Sequence, residues 1–151
     1  MDLLFLSVVA LAGLALLFDF TNGFMDAANS IATVVATRVM SVRVAVWFSA
    51  TFNFLAYFFV GTAVANTVAK TVESGEAGVA VVFGALVAAI GWNFLAWHRG
   101  IPSSSSHAII GGLIGAGVAA GGLGAVNWHN AGMTVAAIFV SPMVAFAIAA
   151  L

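Results

Sequence analysis

Residues 3–37 read LLFLSVVALAGLALLFDFTNGFMDAANSIATVVAT, an uncharged apolar run followed directly by carboxylates and amides. A membrane-spanning helix needs about 20 mostly apolar residues, and Leu3–Phe18 supplies most of that length. From Gly23 to Thr37 the apolar run continues but is interrupted by polar residues. Gly23 would loosen the helix there and free backbone carbonyl groups. The stretch therefore predicts a first membrane span over about 3–37 that is broken near Gly23.

The remaining apolar runs predict four further segments. Three of them, at about 44–64, 77–97 and 133–151, have the length of plain membrane spans. The fourth, at about 102–126, is rich in glycine and begins with a proline and four serines, so it is predicted either to span the bilayer or to turn back as a re-entrant hairpin. All these runs are long and lack the alternation of an outer-membrane barrel, which predicts an all-α polytopic membrane protein.

The composition supports the same class. The 151 residues are 64% hydrophobic and only 6% charged, whereas soluble domains carry about 25% charged residues. Four Lys and Arg residues are too few for the basic surface that nucleic-acid binding needs, so the expected partner is the lipid bilayer and not nucleic acid. The chain has no cysteine, which excludes disulfides, thiolate metal sites and a cysteine nucleophile.

The few cations predict an orientation. Arg38, Arg43 and Arg99 fall in loops that alternate threading puts on one side of the membrane, and Lys70 falls on the other side. By the positive-inside rule the arginine loops are cytoplasmic. The predicted location is therefore the inner (plasma) membrane, with an extracytoplasmic N-terminus.

A stripe of polar residues follows the first apolar run. Its members are spaced three or four residues apart, which places them on one face of a helix. They are Asp19, Asn22, Asp26, Asn29, Thr33 and Thr37. Asn and Thr alone are equally consistent with contacts between packed membrane helices. A carboxylate at membrane depth costs about 2.5–3.5 kcal/mol and usually marks an ion or proton pathway, so Asp26 is the strongest candidate for binding a coupling cation, with Asn22 and Thr33 beside it.

A second polar cluster comprises Ser103, Ser104, Ser105 and Ser106. Pro102 before it and serines at N-cap positions predict a helix start, whose free N–H groups and dipole favour an anion. One serine would cap an ordinary helix, so four favour an anion site. His107 is predicted as a proton carrier, a hydrogen-bond donor or a packed residue. A serine hydrolase using Ser103 and His107 is disfavoured, because no acid lies nearby in the sequence.

The two clusters together predict that an anion and a cation bind at the same time. A helix dipole supplies about half a positive charge, and no Lys or Arg lies beside the serines. A multiply charged anion would remain under-neutralised there, and an aspartate facing the same cavity would add to the repulsion. Anion and coupling cation together indicate a symporter, although spacing alone does not choose the anion.

The same residues resemble a known family. Residues 22–33, NGFMDAANSIAT, resemble the signature of the inorganic phosphate transporter (PiT) family. Trp92-Asn93 and residues 100–111, GIPSSSSHAIIG, resemble its second motif, and residues 53–55 and 140–144 are similar to bacterial members. One departure is Met25, where the family usually has a polar residue, and this bears on the preference for a cation or a proton.

This resemblance implies a secondary active transporter, not an enzyme, with inverted repeats and broken or re-entrant helices. It would move inorganic phosphate, alone or as a metal–phosphate complex, with sodium or protons and without a cofactor. The resemblance places the family's acidic position at Asp26, its signature amide at Asn29 and its serine-rich helix start at Ser103–Ser106, with His107 completing the motif. Together with the polar stripe, it predicts phosphate binding by Ser103–Ser106 and Asn29, and cation coupling by Asp26, Asn22, Thr33 and His107. It identifies no metal-ligating residue of the protein itself.

The family builds its site from two halves, of which this chain resembles the N-terminal one. We therefore expect residues 1–151 to be one repeat, with the second repeat of the same transporter as a missing partner; pairing of two copies in a homodimer is the alternative. Three other functions stay open from the sequence. They are a sulfate-type anion transporter on the same fold, a passive anion pore and a membrane scaffold that does not transport.

Overall fold

The computed structural model describes residues 2–60, 66, 69–72 and 78–150, and these residues are mostly helical. The α-helices are α1 (Leu3–Ala36), α2 (Val42–Val60), α3 (Val79–His98), α4 (Ser105–Gly121) and α5 (Trp128–Ala149), with a short 3-10 helix at Leu123–Ala125. Among the described residues, α1, α2, α3 and α5 are long and apolar enough to cross a membrane. The predicted all-α polytopic class is confirmed.

The first helix is continuous, so the break predicted near Gly23 is wrong. α1 runs through its 34 residues without interruption, which at a rise of about 1.5 Å per residue gives roughly 50 Å. A single glycine costs a helix only about 1 kcal/mol and no proline is present in this segment, so the polar residues change one face of the helix and not its backbone. α1 ends at Ala36, and two residues later Arg38 adopts φ 59° while Val39 N–H donates to Val34 O at 3.0 Å.

α1 and α2 form an antiparallel hairpin. A turn of five residues joins them, and Ser30 Oγ and Ser49 Oγ lie 3.2 Å apart across the pair. α2 begins at Val42, two residues before the predicted start at 44. The predicted end at 64 lies outside the described residues.

α3 and α4 form a second and tighter hairpin. A Cβ added to Gly112 of α4 would lie 2.6 Å from the carbonyl oxygen of Ala85 on α3, so the two backbones approach as closely as glycine allows. Ala85 and Ala89 have no exposed surface, which leaves the seam between the helices dry. Gly100, with φ 63°, lies in the turn between them.

The turn of this second hairpin lies beside the interior of α1. The rings of Trp97 and Phe24 meet edge to face with centroids 5.5 Å apart, and Ser105 donates a hydrogen bond to Asn22. Farther along the turn, Gly100 faces Asn29 of α1. Ala36, the last residue of α1, lies seven positions beyond Asn29, so the turn stops on the order of 10 Å before the end of α1. Whether 102–126 is re-entrant stays a prediction.

α5 begins at Trp128, five residues before the predicted start at 133, because Asn127 caps it by accepting from Asn130 N–H at 3.0 Å. Pro142 lies inside the helix. The start of α5 is tied to residues 70–72 by two hydrogen bonds. Asn127 N–H donates to Thr71 O at 2.9 Å, and Asn130 Nδ2 donates to Lys70 O at 3.1 Å.

The seam between α3 and α4 gives a direct stability test. We expect Gly112→Ala to destabilise the protein by about 1–3 kcal/mol, because the new methyl group would press on the Ala85 carbonyl and the helices would have to separate. The matched control is Gly111→Ala, where an added Cβ meets no atom within 4 Å. Thermal unfolding in detergent measures both variants, and an equal shift in the two would contradict this account of the seam.

Candidate functional site

The polar face of α1 and the facing side of α2 enclose a cleft of about 720 Å³. We call this the acidic cleft. Its polar lining consists of Asp19, Asn22, Asp26 and Ser30 from α1, with Ser49 and Asn53 from α2. The structure therefore brings both carboxylates of the predicted stripe to one site.

The acidic cleft has the chemistry of a cation site. Its lining holds two carboxylates and no Lys, Arg or His, so an empty cleft would hold uncompensated negative charge at membrane depth. Carboxylate, amide and hydroxyl oxygens are the ligands that hard cations prefer. The Ser30 hydroxyl donates to Ala27 O at 3.0 Å, so in the contact with Ser49 the proton comes from Ser49 and the Ser30 oxygen accepts it.

The start of α4 has the features of an anion site. Ser104 is the N-cap, with extended backbone, and its Oγ accepts from His107 N–H at 3.4 Å. Ser103 precedes it, and its Oγ accepts from the indole Nε1–H of Trp92 at 3.0 Å. Free N–H groups and hydroxyls at the positive end of a helix dipole favour a negative ligand.

A second groove, of about 470 Å³, lies between α1 and the turn of the α3–α4 hairpin. We call this the turn groove. Asn29 and Ser103 both line it, together with Met25 and the backbone at Gly100. The signature amide and the first serine of the cluster, far apart in sequence, are thus brought to one groove.

Asn22 joins the two regions. It lines the acidic cleft, and its Oδ1 accepts a hydrogen bond from the Ser105 hydroxyl at the start of α4. Ser105 is 8% exposed, so this bond is shielded from water. The cation-type cleft and the anion-type helix start therefore meet at one hydrogen bond between α1 and α4.

Besides Ser104, the exposed N-cap of α4, which lines neither the acidic cleft nor the turn groove, three predicted site residues lie apart from this arrangement. Thr33 is exposed and lines neither the acidic cleft nor the turn groove. His107 lines a separate groove of about 590 Å³ on the other side of the hairpin, beside Trp92. Ser106 is exposed and lies in neither the acidic cleft nor the turn groove. Their assigned roles in binding stay predictions.

Sequence reasoning missed two residues of the site. From the sequence, an asparagine within a span such as Asn53 is expected to form a contact between helices, but in the structure it lines the acidic cleft. Counting outward from the α1–α2 turn would have placed it opposite Asp26, since Ser30 already pairs with Ser49. From the sequence, Trp92 is expected to lie at a membrane interface as an aromatic residue, but in the structure its indole N–H donates a hydrogen bond to Ser103. No local pattern signals that second contact, which depends on the tight hairpin.

Met25, the residue at which the chain departs from the family pattern, lies in the turn groove. Its side chain is half-buried and lines the turn groove, and it is absent from the lining of the acidic cleft. The departure therefore shares a groove with Asn29 and Ser103 and not with the two carboxylates. Its expected bearing on cation preference stays a prediction.

Several curated proteins are similar to this chain. It is 48% identical to a probable low-affinity inorganic phosphate transporter of Rhizobium meliloti, over 95% of the chain and 43% of that protein. It is 44% identical to a protein of the same description from Bacillus subtilis, over 97% of the chain and 44% of that protein. The low-affinity inorganic phosphate transporter PitA of Escherichia coli is 41% identical, over 75% of the chain and 24% of that protein. No solved structure matches the chain.

The chain thus spans less than half the length of these three relatives. The profile of the phosphate transporter family matches residues 22–151. This range includes the acidic residue Asp26 and also the serine cluster at the start of α4. This match confirms the resemblance carried by the two motifs. The chain belongs to the phosphate transporter family.

Proposed function

We propose that the transporter containing this chain moves inorganic phosphate across the membrane together with a cation, either sodium or a proton. The observation that carries the proposal is the position of Asn22, which lines the acidic cleft and accepts from Ser105 at the start of α4. A cation bound between Asp19 and Asp26 would lie close to an anion at the helix start. The relatives are named as inorganic phosphate transporters, which indicates inorganic phosphate as the anion.

The charges favour binding of the anion together with a cation over binding of the anion alone. The acidic cleft carries two carboxylates with no basic residue in its lining, and the helix dipole contributes only about half a positive charge to the anion. Either ion alone leaves unbalanced charge in a medium of low dielectric, where the interaction between charges is strong. A cation bound in the cleft offsets carboxylate charge that would otherwise repel the anion, so the anion binds more tightly when the cation is present, which is the thermodynamic basis of symport.

We further propose that the transporting unit lies in the inner (plasma) membrane with an extracytoplasmic N-terminus, and that it contains a second, inverted copy of this bundle. Arg38 and Arg43 at the α1–α2 turn support the orientation. Arg99 supports it less, because its turn stops beside the interior of α1. The greater length of the relatives is consistent with a second repeat in the same polypeptide, and a homodimer is the alternative.

The experiment is uptake of radiolabelled phosphate into liposomes that contain the full-length protein. A sodium gradient, a proton gradient or neither is imposed, and excess unlabelled sulfate is added in parallel. We expect uptake that depends on one of the two gradients and that sulfate does not inhibit. A chelator separates the cargo forms, because uptake of a metal–phosphate complex stops when divalent metal is removed.

Other outcomes would replace the proposal. Uptake at the same rate after the gradients are collapsed indicates a passive anion pore. Strong inhibition by sulfate indicates a sulfate-type transporter. Absence of phosphate uptake under every gradient, with the protein folded and inserted, indicates a membrane protein without this activity.

A further inference from the structure

Trp92 on α3 contacts the serine cluster in a chemically specific way. Its indole Nε1–H lies 3.0 Å from the Oγ of Ser103. The indole nitrogen can only donate, whereas a serine hydroxyl can donate one bond and accept two. In this pair the Ser103 oxygen therefore accepts, and the Ser103 proton stays available for another acceptor.

The hydroxyl of Ser105 has the opposite assignment. It donates to Asn22 Oδ1, so its proton is committed to α1. Ser104, the N-cap between them, accepts from His107 N–H and keeps its own proton. The serines at the start of α4 are therefore not equivalent, and Ser103 is the one whose oxygen accepts from a side chain of another helix while its proton stays available to a ligand.

The placement of Trp92 suits it to hold Ser103 in position. The next residue of α3, Asn93, has no exposed surface, so this part of the helix is fixed by packing. Ser103 itself is half-buried and lines the turn groove with Asn29. A donor fixed on one side of the Ser103 oxygen restricts the directions that remain for its proton.

We infer that Trp92 is a positioning residue that orients Ser103 as a hydrogen-bond donor to phosphate in the turn groove. The inference rests on the proposed function, because it takes phosphate as the anion at the start of α4. Trp92 itself does not need to touch the anion. Its effect passes through Ser103, and this gives a prediction that a purely structural role does not make.

The test is a double-mutant cycle on phosphate uptake by the full-length protein in liposomes. Trp92→Phe keeps an aromatic ring and removes the N–H donor, and Ser103→Ala removes the hydroxyl. We expect each single variant to raise the KM for phosphate by about three- to tenfold with little change in kcat, the range that corresponds to loss of one hydrogen bond. We expect the double variant to match Ser103→Ala, because residues that act through one contact are not additive.

The matched control is Trp128→Phe. This change removes another indole hydrogen bond of similar length, from Trp128 Nε1 to Leu123 O at 2.9 Å, at the start of α5. We expect it to leave the KM for phosphate unchanged. A general effect of losing an indole would appear equally in both tryptophan variants and would overturn the inference.

Folding and function are separated by two further comparisons. All rates are divided by the amount of folded protein in the membrane, and the cycle is repeated with Trp92→His, which retains a ring N–H and should lie nearer to the wild type than Trp92→Phe. Effects of Trp92→Phe and Ser103→Ala that multiply in the double variant would overturn the positioning role while phosphate uptake by the wild type still stands. Absence of uptake by the wild type would overturn the proposed function, and the inference with it.

Discussion

Replacing Asp26 by Asn is expected to abolish cation-driven phosphate uptake while the protein still folds and inserts. The carboxylate lines the acidic cleft, where no basic residue balances it, so its charge is available to a bound cation. Two unit charges about 4 Å apart near a protein surface attract each other by about 4 kcal/mol, so removing the carboxylate charge is expected to lower cation affinity on the order of 100-fold or more. Because the proposed anion and cation bind together, phosphate uptake falls with the cation.

The measurement is the initial rate of labelled phosphate uptake against cation concentration. Asp2→Asn is the matched control, since Asp2 precedes α1, makes no side-chain capping bond and lies outside the cleft. We expect Asp19→Asn to produce a loss that cation concentration partly overcomes, because Asp26 remains. Undiminished uptake by Asp26→Asn, measured beside a fully active Asp2→Asn, would eliminate Asp26 as a cation ligand.

The helical class and the acidic cleft follow from local patterns that the sequence displays. Long apolar runs predict helices because a bilayer leaves backbone groups no other partners. Spacings of three and four residues predict that Asp19, Asn22 and Asp26 share a face, and the structure places them in one cleft. These predictions succeed because helix geometry is fixed within a few residues.

The parts that were predicted less well depend on how separate elements meet. Gly23 could have broken α1, and only the energy balance over the whole helix determines that it does not. The approach of Gly112 to Ala85 sets the α3–α4 hairpin, and the hairpin in turn brings Trp92 to Ser103. Thr33 is a further example, because it belongs to the predicted stripe but lines neither the acidic cleft nor the turn groove. Such contacts depend on how helices pack against each other, and the spacing of residues along one helix does not predict that packing.

Breaking the hydrogen bond between Asn22 and Ser105 is expected to uncouple the two ions more than it weakens either site. Ser105 sits in the first turn of α4 and donates to an amide that lines the acidic cleft. In Ser105→Ala the anion helix keeps its dipole and the cleft keeps both carboxylates, but the direct link between them is lost. The half-buried amide oxygen of Asn22 also loses its partner, and a hydrogen bond of this kind contributes about 0.5–1.5 kcal/mol.

The quantity to measure is the factor by which the coupling cation lowers the KM for phosphate. We expect Ser105→Ala to reduce this factor about tenfold, toward one, as the energy of the lost bond allows. Linkage requires the effect of phosphate on cation binding to fall by the same factor when both are measured as equilibrium affinities. Thr51→Ala serves as the control, because the Thr51 hydroxyl bonds only within its own helix, to Trp47 O at 2.8 Å. An unchanged coupling factor in Ser105→Ala, with phosphate binding alone weakened, would mean that the ions communicate by charge through the cavity and that the bond between α1 and α4 is structural.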